Sequence, residues 1–125
     1  MTDQKIFQRL QEFKEKKNQL DFIWTDSQGI LEKIEEELAE VRSAIENQEG
    51  DKRIKDELGD LTHAVFCLID FLGFSEADII DQSLDKLESR VLKIEEQLRT
   101  VGLKSLKGLP REEKLRYWQK AKESE

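Results

Sequence analysis

Proline occurs once, cysteine once and glycine six times in 125 residues. So little Pro and Gly leaves scant turn chemistry for a β-rich fold. A lone Cys67 excludes an internal disulfide, and a metal site built on it would need more partners. Within its apolar run it reads as a buried core thiol. No hydrophobic run is long enough to span a bilayer: the most apolar segment, "AVFCLIDFLGF", is short and contains Asp70. The opening "MTDQKIFQRL" lacks the apolar centre of a signal peptide. Basic runs are short, "KEKK" being the densest, and 28 acids outweigh 21 bases for a net charge of −7. Nucleic-acid backbones repel such a chain, which disfavours a nucleic-acid polymer as partner. These absences point to a soluble protein of a reducing, cytoplasmic setting, with no membrane partner.

What the chain has in abundance is charge laid out with helical period. Hydrophobic residues make up 37% and charged residues 39%. That balance fits a highly solvated helical domain, or a bundle that completes its core by oligomerising. The length suits one domain over residues 1–125. Ile6, Leu10 and Phe13 recur at i, i+4, i+7 along a helix over 3–19. "LDFIW" interrupts the pattern. Thr25, with Gln28 three residues on, forms a capping-box signature for a second helix ending near 47. Its core face is Ile34, Leu38, Val41 and Ile45. "NQEGD" turns the chain, and Asp51 caps a third helix over 52–72. Between Ala64 and Leu72 that helix is apolar on more than one face, which favours a subunit interface. Ser75 starts a fourth helix with a 3-4 seam of Ile80, Leu84, Leu87, Val91, Ile94, Leu98 and Val101. Pro110 suits the first turn of a last helix, where Tyr117 and Trp118 read as core. The expected architecture is an all-α bundle of four to five helices, assembled as a homo-oligomer.

The second and third helices make an antiparallel hairpin about a turn centred near residues 48 and 49. Glu40 and Glu57 lie at equal distance from that centre, and so do Glu37 and Asp60. Within each helix the two acids are three residues apart and share a face. The hairpin therefore brings four carboxylates to one place, on the flank of the apolar stripes, that of the third helix being Leu58, Leu61, Val65 and Leu72. Such a square repels itself unless it is protonated or neutralised by cations. Oxygen ligands with no converging His or Cys select a hard divalent ion, Mg²⁺ or Mn²⁺. Gly59, opposite Leu38, would let the two backbones approach. His63, on a different flank from Glu57, lacks the rest of a site and reads as a surface or interface histidine. The competing reading of the acids is a solvated face with i,i+4 ion pairs.

Helix four offers a basic counterpart. Lys86, Arg90 and Lys93 stand at i, i+4, i+7 on one flank of its seam. With the acids they make a metal-plus-base clamp suited to a polyphosphate. Taken alone, the same bases also read as a solvated stripe paired with neighbouring Glu. A Gly-rich phosphate loop is missing, so this is not a P-loop enzyme.

These residues resemble a known family. "EEELAE" holds Glu36-Glu37-x-x-Glu40, and "DELGDL" holds Glu57-x-x-Asp60. The pattern resembles the EExxE…ExxD signature of the MazG family of nucleoside triphosphate pyrophosphohydrolases. "FIWTDSQGILEKIEEELAEVRSAI" looks like that family's opening segment, with Trp24 and Gln28 in place. "LDKLESRVLKIEE" looks like its basic helix, matching Asp85, Lys86 and Arg90. "WQKAK" resembles its closing helix, so the likeness runs from about residue 22 to 122. The chain departs from the pattern at Leu84, where many members carry Asn; base selectivity or metal arrangement would differ there.

The resemblance implies an α-helical dimer, often a dimer of dimers. It implies Mg²⁺-dependent cleavage between the α- and β-phosphates, giving a nucleoside monophosphate and pyrophosphate, a reaction of nucleotide-pool house-cleaning. Glu37, Glu40, Glu57 and Asp60 would hold the metal, which polarises phosphate oxygens and acidifies water. Glu36 would complete the shell or accept the proton of the attacking water. Lys86 and Arg90 would hold the leaving pyrophosphate. Trp24 would stack on the base, or else staple the start of helix two. Two other readings stay open on the residues alone. One is a non-enzymatic helical interaction module built on the seam of helix four. The other is a pyrophosphohydrolase of another nucleotide-diphosphate substrate, which the same acids would serve.

Overall fold

The helical periods become five α-helices in the computed structural model, which describes residues 2–125. They are α1 (Asp3–Gln19), α2 (Ser27–Glu46), α3 (Asp51–Phe71), α4 (Glu76–Thr100) and α5 (Arg111–Glu123). No strand occurs among the described residues. Caps set the boundaries. The Asp26 carboxylate accepts the Gly29 N–H at 2.7 Å and caps α2, so that helix starts one residue later than a Thr25 cap would place it. A carboxylate is the stronger acceptor there and opposes the positive end of the helix dipole. Asp51 is the first residue of α3 rather than its cap; Gly50 holds the cap position with φ 96°. That left-handed conformation is open to glycine because it has no Cβ. Ser75 caps α4 by accepting the Asp78 N–H, as expected. Pro110 stands one position ahead, as the cap of α5.

The chain divides into two compact units, the first ending at Phe74 and the second running Ser75–Glu125. In the first, α2 and α3 pack as the expected hairpin around Ile30, Val41, Ala44, Ala64 and Cys67. α1 buries none of its own residues. It reaches α3 through side chains: Lys14 Nζ lies 3.0 Å from Asp70 Oδ1, and Phe13 stands edge-on to His63.

The buried faces are not the predicted stripes. Leu38, Ile45, Leu58 and Leu72 are each more than two-fifths exposed, and only Val41 of the α2 stripe is fully buried. A two-helix hairpin covers one face of each partner, whereas α3 carries apolar residues on two. Gly59 is also not a contact point. A Cβ built there meets nothing within 4 Å, so the missing side chain does not serve close backbone approach.

In the second unit, α4 and α5 close on Ile94, Leu98 and Ala121, with Leu106, Tyr117 and Trp118 packed against them. Tyr117 and Trp118 thus sit at the core of the last helix, as the sequence implies. The seam of α4 is used only in part: Ile80, Leu84, Leu87, Val91 and Val101 remain exposed. Among the described residues, no helix is long and apolar enough to cross a membrane.

Candidate metal centre

Glu37 and Glu40 project from α2, Glu57 and Asp60 from α3. One carboxylate oxygen from each lies within 4.8 Å of the other three. The equal spacing from the turn is realised in space. The setting differs from the expected flank, however. Glu37 and Glu57 are 5% and 2% exposed and belong to the buried face itself, while Glu40 and Asp60 face outward.

Each buried carboxylate is gripped by a base one turn earlier on its own helix. Lys33 Nζ lies 2.9 Å from Glu37 Oε1, and Arg53 Nη2 lies 2.6 Å from Glu57 Oε1. Sequence reasoning missed both bases. Their signal was a base-to-acid i,i+4 spacing repeated on the two helices. The second oxygens, Glu37 Oε2 and Glu57 Oε2, are buried with no partner. A buried acceptor left unsatisfied costs about 1–3 kcal/mol. Two such oxygens in one cluster are what a bound cation would satisfy, and an all-carboxylate donor set fits a hard divalent ion. The crowding also acts on Glu40. A hydrogen bond with Glu57, followed by the charge of Glu37, pushes its pKa up from 4.5 to about 7. Lys33 moves in the compatible direction: its pKa is raised, first by its hydrogen bond to Glu37.

Not every predicted site residue joins this cluster. Glu36 is exposed and lies 3.5 Å from Lys33, outside the group of four. Gln28 is exposed and donates its amide to Glu32 Oε1 at 3.3 Å. Trp24 lines a cleft of about 550 Å³ that Glu37 and Asp60 also line. It lies over the first turn of α2 as well, since a Cβ at Gly29 would come within 3.4 Å of its ring. His63 is exposed and lines the same cleft as Asp60, which Glu57 does not line, in keeping with a flank different from that of Glu57. Burial, then the charge of Lys17, lowers its pKa. Cys67 is buried, as expected, at the same cleft.

Lys86 and Arg90 belong to the second unit. Lys86 is exposed, and so is Leu84. Arg90 is buried. Its Nε and Nη2 grip both side-chain oxygens of Glu125, the Nη2 bond measuring 3.2 Å, and its guanidinium lies 5.1 Å from the centre of the Trp118 ring. The Glu125 hydrogen bond raises the Arg90 pKa, and the same bond lowers that of Glu125. Two-pronged capture of a carboxylate is also the geometry by which arginine takes phosphate.

Comparison with known proteins bears on this geometry. Residues 25–94 match the family model described as the MazG nucleotide pyrophosphohydrolase domain, a span that holds all four clustered acids. The chain is 36% identical over 108 residues to the nucleoside triphosphate pyrophosphohydrolase/pyrophosphatase MazG of Thermotoga maritima. That alignment covers 86% of this chain and 40% of the relative, so the chain spans about two-fifths of the length of the protein it matches.

Proposed function

Because the chain belongs to the MazG nucleotide pyrophosphohydrolase family, we propose that it hydrolyses (deoxy)nucleoside triphosphates between the α- and β-phosphates. The products are a nucleoside monophosphate and pyrophosphate, and the role is house-cleaning of a cytoplasmic nucleotide pool. The observation that carries this reading is the pair of buried, unpartnered oxygens of Glu37 and Glu57 inside a four-carboxylate cluster beside a cleft.

Glu37, Glu40, Glu57 and Asp60 would hold Mg²⁺, or Mn²⁺ in its place. When bound, the ion polarises the phosphate oxygens and offsets their charge. The residues do the rest. Lys33 and Arg53 fix the two buried carboxylates, so the cluster is set before substrate arrives. Glu40, with a pKa raised to about 7, would give up its proton where the ion binds and holds it, without the ion, only below about that pH. Glu36, exposed one residue from Glu37, would complete the shell of the ion or take the proton of the attacking water. On the second unit, Lys86 and Arg90 would offer their charge to a phosphate, Arg90 exchanging the carboxylate of Glu125 for it. Trp24 offers a face to the base.

The exposed Leu38, Ile45, Leu58 and Leu72 would be covered by a second copy, giving a homodimer or homotetramer. The test is incubation with a panel of triphosphates and Mg²⁺, with products identified. Release of pyrophosphate and monophosphate supports the reading. Release of inorganic phosphate and diphosphate, or no turnover, removes it.

A further inference from the structure

The cleft beside the carboxylate cluster has a floor whose polar side chains form a directed chain. Lys17 Nζ lies 3.8 Å from Cys67 Sγ, and that sulfur lies 3.5 Å from His63 Nε2. An ammonium only donates, so the sulfur accepts from Lys17. The thiol hydrogen is then free to go to Nε2, which accepts and leaves the ring N–H on Nδ1. Burial and the nearby ammonium both oppose a charged imidazole, which agrees with an accepting Nε2.

Two contacts fix this arrangement. The Phe13 ring meets the His63 ring edge-on, with centroids 5.6 Å apart and planes at 72°. The Lys14–Asp70 ion pair at 3.0 Å ties α1 to α3 one turn away. Phe13 and Trp24 line the same cleft and bring aromatic surface of the kind on which bases stack. Its volume of about 550 Å³ falls within the range of small-molecule sites.

We propose that this floor selects nucleobases with a carbonyl at C4 of a pyrimidine or C6 of a purine over those with an amino group at that position, and that Lys17 makes the selection. The inference rests on the nucleotide reading above. Lys17 keeps N–H donors beyond the one given to Cys67, and His63 keeps one at Nδ1. Among the described residues, the acidic side chains of the cleft, Glu37 and Asp60, belong to the carboxylate cluster. A carbonyl oxygen at the floor therefore gains a charge-assisted bond. An amino group there meets donors and loses its water without replacement. The competing role for Lys17 is structural. It lies in the last turn of α1, where a cation suits the helix end. That role would affect stability and treat all substrates alike.

The test uses the full chain and two pairs of triphosphates that differ at one group: uridine against cytidine, and inosine against adenosine. The expected kcat/KM is at least about tenfold higher for the carbonyl member of each pair. Lys17→Met, checked for folding by circular dichroism, collapses both ratios towards one, and Lys17→Arg restores part of them. Equal kcat/KM within the pairs for the unaltered chain overturns this inference alone. So does a Lys17→Met chain that slows all four substrates by one common factor. Cleavage of none of the four removes the nucleotide reading and takes this inference with it.

Discussion

Glu57, buried on α3, sets the protonation of Glu40, which stands exposed across the hairpin on α2. Their hydrogen bond is the largest cause of the rise of Glu40 from 4.5 to about 7. The folded chain therefore keeps a proton that the unfolded chain loses near the ordinary value. Between those two values the folded state binds more protons, so stability falls as pH rises. The contribution is complete below about pH 4.5 and gone above about pH 7.

That relation gives the first prediction. In chelator, the midpoint of the unaltered chain drops between pH 4.5 and pH 7 relative to that of Glu40→Gln, which carries no titrating group there. Saturating Mg²⁺ removes the drop, since the cation takes the place of the proton. Thermal melts across pH, with and without the ion, check it. Parallel curves for the two proteins in chelator would contradict the coupling.

Asp60→Asn removes one charge from the cluster while keeping the shape of the side chain. Turnover should fall at least about a hundredfold, the scale for losing a group that acts on developing charge. The metal-free chain should be no less stable than the original, because carboxylate repulsion is relieved. Loss of both activity and stability would make Asp60 a structural residue. Near-normal turnover with Mg²⁺ would take it out of the centre.

Gly59→Ala tests the hairpin itself. Nothing lies within 4 Å of the added Cβ, so the substitution keeps only its helix-propensity gain of about 1 kcal/mol. Chemical denaturation should read that gain as a higher midpoint at unchanged slope. A lower midpoint would mean that this stretch of α3 is covered by something the single chain does not show.

The position of the carboxylate cluster was legible because a short turn makes height a matter of counting residues from it. Glu37, Glu40, Glu57 and Asp60 needed only that count. Their burial was not legible in the same way. The stripe through Leu38 and Leu58 looked like the core, yet the buried face of each helix runs through Glu37 and Glu57, where Lys33 and Arg53 offset the charge. Hydrophobicity ranks residues by transfer cost and gives no credit for a paired charge. The surroundings of His63 were not legible for a related reason. Its neighbours Phe13 and Lys17 come from α1, which is distant in sequence from α3, and periodicity within one helix carries no information about them.

The exposed apolar residues of α2 and α3 lead to the fourth prediction. Sedimentation of the unaltered chain should give a species at least twice the chain mass. Leu58→Glu should shift it towards the monomer, because a charge at a covered apolar contact is costly to desolvate. A stable folded monomer at micromolar concentration for the unaltered chain would show that these leucines remain in water.

Arg90 separates binding from structure in the last prediction. Its fork holds Glu125 and its face lies on Trp118, so truncation disturbs both and says little. Arg90→Lys keeps the charge and loses the fork and the stacking. If Arg90 takes phosphate, KM for the triphosphate should rise about tenfold or more with a smaller change in kcat. Glu125→Gln leaves the arginine in place and weakens its hold on the carboxamide. Nucleotide affinity should then stay the same or improve, because the competing acid is gone. A purely structural Arg90 predicts the opposite pattern: both variants lower the melting midpoint together, and neither moves KM.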